Sequence, residues 1–124
     1  MATRSFIGKR LPSGKIIGVY CHYDGYPTGV GRTLKEHYTD PAKVDSLIAL
    51  GPLSYLAPEV GERHDFDSPR EGWTVAYARD RGDRPVNQLS FGDVRSMKSG
   101  VANRLFAEYA YVMGRSGKWI TYKI

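Results

Sequence analysis

The chain has 124 residues, of which 41% are hydrophobic and 25% charged. That is enough apolar material for one folded domain spanning 1–124, and too much for an intrinsically disordered chain. The single cysteine, Cys21, excludes an intrachain disulfide, no apolar run reaches the length of a membrane span, and the opening MATRSFIGKR lacks the apolar stretch of a signal peptide, so the expectation is a cytoplasmic protein without a membrane partner. The formal net charge is +5 and is unevenly spread. Residues 1–38 carry six Lys/Arg against two acids, residues 39–72 three against seven, and residues 73–124 nine against four. Two basic sections therefore flank an acidic one, a pattern that concentrates phosphate-bearing partners and equally serves solubility.

In chain order, residues 3–10 and 15–22 predict two strands around a Pro12-Ser13-Gly14 turn. The second, KIIGVYCH, is apolar on both faces, as an inner strand should be; the first has a basic face that suits an edge or ligand-facing position. Thr28 is placed to cap a helix running to about Tyr38, with Val30, Leu34, His37 and Tyr38 as its apolar stripe. A second helix has the fuller signature: Asp40 as cap, Pro41 at the first helical position, Val44, Leu47 and Ile48 on one face, and Gly51-Pro52 as the stop. Residues 57–72, rich in charge, Pro and Gly, predict a long irregular loop of the kind that often serves as a binding lid. Trp73 to Ala78 reads as a third strand, ARDRGDR as a charged turn, and FGDVRSMKS as holding a short helix. Residues 104–113 and 118–123 predict a closing hairpin around Gly114–Gly117, with Leu105, Ala107, Tyr109, Tyr111 and Met113 on one face. Too few crossover helices are present for a parallel sheet. The fold class expected is α+β, a mostly antiparallel sheet of about five strands with two to three helices packed on one face.

The chemically densest segment is the strand-to-helix junction YCHYDGYPTGVGRT, Tyr20–Thr33. Strand alternation puts Tyr20 and His22 on one face and Cys21 and Tyr23 on the other. Gly29 and Gly31 bring backbone N–H groups to a helix start, a generic anion site. Arg32 and Arg4 could add bidentate hydrogen bonds, and Tyr23 and Tyr26 could stack a base or cap a ribose. The segment is not a Walker A loop: five residues separate Gly25 from Gly31, and Arg32 stands where that motif has lysine. A tight turn with tyrosines filling the core edge is the competing reading.

Three other constellations carry less. His22, Asp24 and His37 could converge on a metal, but there is no HExxH, no paired CxxC and no carboxylate cluster; a hydrogen-bonded His37 inside the core and an inert Cys21 fit better. The arginines Arg79 and Arg81 in RDRGDR could grip phosphate, although alternating charges more often describe a solvated turn. The aromatic hairpin Tyr109, Tyr111, Trp119 and Tyr122 fits core packing or a homodimer interface better than stacking on nucleic acid.

The segments TRSFIG, VYCHYDGYPTGVGRTL-EHY, DSLIALGPLSYLAPEVG and AYARDRG together resemble a family of small bacteriophage and prophage proteins marked by a YCHxDGYPxGVG pattern. The resemblance covers most of the chain. It implies a phage accessory protein, and such proteins often turn off host defence by binding an effector protein or sequestering a nucleotide signal. The expectation is a non-enzymatic binding protein, without cofactor, for a nucleotide-like anionic ligand, plausible as an anti-defence sponge, with Tyr23, Tyr26, Gly29, Gly31 and Arg32 as its site and Arg4, Arg79 and Arg81 as helpers. Loop 57–72 would close over it. The alternatives are a protein-binding inhibitor of a host defence nuclease, a direct nucleic-acid binder, and a metal-dependent hydrolase using His22 and Asp24.

Overall fold

A computed structural model describes residues 2–124. Strands β1 (Ser5–Arg10) and β2 (Ile16–Cys21) form an antiparallel pair at the centre of the sheet. Gly14, at φ +94°, lets the chain reverse between them. Gly8 and Gly18 face each other across this pair, and a methyl on either would come within 2.6 Å of the Phe6 ring. The glycines therefore make the recess in which Phe6 lies.

Beyond β2 a π-helical turn, Pro27–Gly31, runs directly into α1 (Arg32–His37). Its cap is Tyr26, not Thr28, because Pro27 already has helical backbone at the first position. Helix α2 (Pro41–Ile48) starts as expected, with the Asp40 carboxylate accepting from Ala42 N at 3.0 Å. Strand β3 (Leu53–Tyr55) follows, then the irregular stretch 57–72, then the two-residue strand β4 (Val75–Ala76). ARDR is not a turn but the body of helix α3 (Tyr77–Arg81), closed by Gly82 at φ +83°. Strand β5 (Leu89–Phe91) precedes α4 (Val94–Leu105), and the hairpin of β6 (Tyr109–Met113) and β7 (Trp119–Lys123) ends the chain.

The class is α+β, with a sheet ordered β4-β3-β2-β1-β6-β7. The pairings β1–β2, β2–β5, β3–β4 and β6–β7 are antiparallel; β1–β6 and β2–β3 are parallel. β3 and β5 share one edge of β2, β5 along Ile16–Gly18 and β3 at Cys21. One face of the sheet, carrying Ile7, Val19, Cys21 and Tyr111, packs on Val30, Leu34 and Tyr38 of the first helical segment and on Val44, Leu47 and Ile48 of α2. Each fully buried leucine here contributes about 2 kcal/mol of transfer free energy. α4 adds a cover on the other face, where Met97 and Val101 pack on Phe6, Ile16, Phe91 and Ala110. The expected 104–113 strand is shortened accordingly: Leu105 belongs to α4 and Ala107 to this second core, so only Tyr109, Tyr111 and Met113 keep the alternation.

Loop 57–72 is irregular but tied down. Arg79 donates to the carbonyls of Val60 (2.9 Å), Gly61 (3.2 Å) and Thr74 (2.6 Å). Asp80, its side chain fully buried, accepts from His64 N at 3.2 Å and Ala76 N at 2.8 Å. Tyr38 Oη donates to Ala57 O at 2.7 Å. Among the described residues no helix is long and apolar enough to cross a membrane.

Candidate functional site

Strand β2 delivers the junction. Cys21 points into the first core, where burial pushes its thiol up to about 12. A thiol so placed is almost wholly protonated and inert at neutral pH. Tyr20 and His22 share the opposite face, as alternation requires, and the Tyr20 hydroxyl bonds His22 Nδ1. Burial raises the Tyr20 phenol above its ordinary value, and the Arg4 guanidinium nearby offsets part of that rise.

The chain then turns through Asp24, at φ +58°. Gly25, Val30 and Gly31 are buried, while Tyr26, Pro27 and Thr28 face solvent. Tyr111 Oη donates to Gly25 O at 2.6 Å, and a methyl on Gly25 would sit 2.6 Å from Thr3 O. Gly31 lies against the Tyr111 ring, 3.0 Å from where its Cβ would be. Three N–H groups at the helix start are spent locally. Gly29 N donates to Tyr26 O at 2.9 Å and Val30 N to Asp24 O at 2.8 Å, while Gly31 N faces Tyr26 O at 3.5 Å. The glycines thus serve close packing, not an anion.

Immediately beside this turn lies an open cleft of about 600 Å³ lined by Ala2, Arg4, His22, Tyr23, Phe106 and Glu108. β1 supplies its floor through the preceding residue Arg4, and β2 supplies His22 and Tyr23, whose rings meet edge to face at 4.5 Å. The α4–β6 connection supplies Phe106 and Glu108. Glu108 N donates to Arg4 O at 2.9 Å, which extends the parallel β1–β6 pairing and fixes this wall. Phe106 closes α4 in the left-handed conformation, φ +55° and ψ +35°, and is 69% exposed. Glycine or asparagine normally takes that position. A bulky aromatic held there, and held in solvent, stores strain of about 1–3 kcal/mol without repaying it by burial.

Of the residues expected to form the site, the structure brings Arg4 and Tyr23 together in this cleft. Tyr26 is exposed and donates to Asp24 Oδ1 at 3.1 Å, a bond that raises its phenol. Arg32 is exposed on α1. Arg79 is consumed in holding loop 57–72, as described. Arg81 forms a two-bond pair with Asp83, at 2.8 and 2.7 Å, and lies over the Phe66 and Tyr77 rings. The loop itself packs against α3 and Tyr38, and none of its residues lines the cleft. His37 is exposed beside Glu36, not buried, because α1 turns its last residue outward while Tyr38 fills the core. Among the described residues no three His, Cys, Asp or Glu side chains converge as metal ligands, so His22, Asp24 and His37 do not form one group.

Sequence reasoning missed Phe106 and Glu108. The signal available was an aromatic in a position where a helix end calls for glycine, and it is visible only once α4 is known to reach Leu105. No family model, no curated protein and no solved structure matches the chain.

Proposed function

We propose that the chain is a non-catalytic binding protein whose ligand, nucleotide-like and anionic, sits in the cleft between the end of β2 and the α4–β6 connection. The observation that carries this reading is Phe106, strained at φ +55° and 69% exposed on the wall of that cleft. Strain of this kind concentrates where a side chain must be presented to a partner. Tyr23, 46% exposed, offers a second ring, and exposed rings stack bases of any identity. Arg4 supplies a planar donor fork for a phosphate or carboxylate. Glu108 supplies an acceptor for a ribose hydroxyl or a base amino group, which favours a nucleotide over a bare polyanion. The volume of about 600 Å³ suits a mono- or dinucleotide.

A phage accessory role in the cytoplasm of the host cell, with the ligand as a defence signal held out of circulation, goes with the family resemblance. Calorimetry against cyclic di- and trinucleotides and ADP-ribose derivatives tests the reading. Micromolar binding that is lost in Arg4→Ala is expected; no heat from any of them at high micromolar concentration overturns it.

A second reading is favoured by one observation. The acidic stretch 57–72 is tied at Val60, Gly61 and His64 by Arg79 and Asp80, so part of its anionic surface is preformed. Such a surface fits an inhibitor that occupies the basic channel of a nuclease. Stoichiometric capture of a nuclease, weakened by charge reversal at Glu62 and Asp67, is its expected outcome.

A further inference from the structure

The cleft does not end at Phe106. A second depression of about 450 Å³ continues from it, sharing Arg4 and Phe106 as walls and adding Tyr20, Pro52, Arg104 and Leu105. A third, of about 260 Å³, shares Tyr20 and Pro52 with the second and adds Tyr77, Arg81, Arg84 and Val86. Shared walls make the three one trough. It starts at His22 and Tyr23, passes the C-terminus of α4, and ends beside α3.

Its position follows from the sheet. β5 covers β2 only along Ile16–Gly18 and β3 only at Cys21. Tyr20 sits in the interval between them, where no strand covers that edge of β2. The trough runs past this interval.

Four arginines border the trough, Arg4, Arg104, Arg81 and Arg84, against two acids, Glu108 and Asp83. The rings are interleaved with them: Tyr23 and Phe106 are exposed and Tyr20 partly so, while the Tyr77 ring is covered by Arg81. Arg81 is paired with Asp83, but Arg4, Arg84 and Arg104 are in no ion pair among the described residues. A linear series of cations with stacking surfaces between them is what tracks an unpaired nucleic-acid strand, whose phosphates and bases alternate along its length. A single compact nucleotide would fill the first depression and leave the rest of the series without a role. A duplex keeps its bases stacked on one another and cannot use the rings.

We propose that the trough binds a short single strand of nucleic acid, with its first base at Tyr23 and Phe106 and its following phosphates on Arg4, Arg104 and Arg84. This rests on the nucleotide reading of the cleft and specifies the ligand as an oligonucleotide.

The test is fluorescence anisotropy with 5′-labelled oligo-dU and oligo-U of one, two, four and eight nucleotides, beside an eight-base-pair duplex. Affinity is expected to rise at least tenfold from one to eight nucleotides, with a slope of log K against log[salt] of about −2 for three phosphate contacts. Arg84→Ala, at the far end, should flatten the length dependence, bringing the eight-mer toward the single nucleotide. Preference between oligo-U and its 2′-deoxy counterpart oligo-dU identifies which strand is held, since the two differ only in the 2′-hydroxyl. Should the mononucleotide bind and the eight-mer bind no tighter, the trough is not a strand site while the cleft reading stands. Should no length bind, the strand proposal falls, and the cleft reading stands or falls on the calorimetry with cyclic nucleotides and ADP-ribose derivatives. Tighter binding of the duplex than of either single strand also overturns the proposal.

Discussion

Phe106 shows how a side chain can be placed against its own backbone preference. Replacing it with glycine should relieve the left-handed strain and raise stability by about 1 kcal/mol in denaturant unfolding. The same variant should lose nucleotide binding. Gain of stability with loss of affinity separates a presented ring from a merely tolerated one; a destabilised variant would mean that Phe106 is packing after all. Asp80 is the second residue whose state matters. Burial by itself would raise its carboxyl, but hydrogen bonds from Arg79 and from the backbone N–H groups of Ala76 and His64 outweigh that and hold it below its ordinary 3.8. A depressed carboxyl stabilises the folded state above its unfolded value, and that contribution disappears as pH falls through the folded one. Pepsin should therefore cut within 57–72 more readily as pH drops below about 4. Asp80→Asn should show open-loop cleavage at neutral pH with a neutral protease, and little further change on acidification.

At the scale of elements, the strongest local signals were legible and the context-dependent ones were not. α2 could be read from Asp40, Pro41 and Gly51 because each acts within its own turn. Asp40→Ala should cost about 1 kcal/mol in thermal or chemical unfolding. α4 is only partly legible in the sequence because Gly100 and a polar surface dilute its helical signal. Its length is explained by packing: a methyl at Gly100 would collide with the Phe91 ring, so the glycine lets the helix seat on β5. Gly100→Ala, which in an exposed helix would stabilise, should here destabilise by about 1–2 kcal/mol. The 57–72 loop was legible as irregular, but its fixed conformation was not. That depends on Arg79 and Asp80 reaching back across at least 16 residues, a relation no local pattern records. The site was half legible for the same reason. Tyr23 and Arg4 were visible as chemistry, while Phe106 and Glu108 enter only through the parallel pairing of β1 with β6.

The molecule as a whole is a sheet sandwiched unequally, with two helical segments on one side and α4 on the other. The paired strands β1 and β2 carry the centre of both cores, since Ile7 and Val19 face one and Phe6 and Ile16 the other. Strand alternation read that correctly for Cys21 and Tyr20. Strand order lay beyond it, because β3 and β5, three residues each, have too little sequence to show a period.

Cys21 lies where these layers meet, fully buried in β2 between β1 and β3, and it is the chain's single thiol. Its thiol faces the helical cover, so a reagent reaches it only when that cover leaves the sheet. The protein therefore carries its own clock for rare openings. Under native conditions, the rate of modification by an aromatic disulfide, divided by the rate for an unfolded peptide thiol, gives the fraction of time the central strand is exposed. That fraction should equal the one extrapolated from denaturant unfolding, and its logarithm should shift with urea at the full global slope. A weaker slope would mean that the helical cover leaves the sheet on its own, without global unfolding.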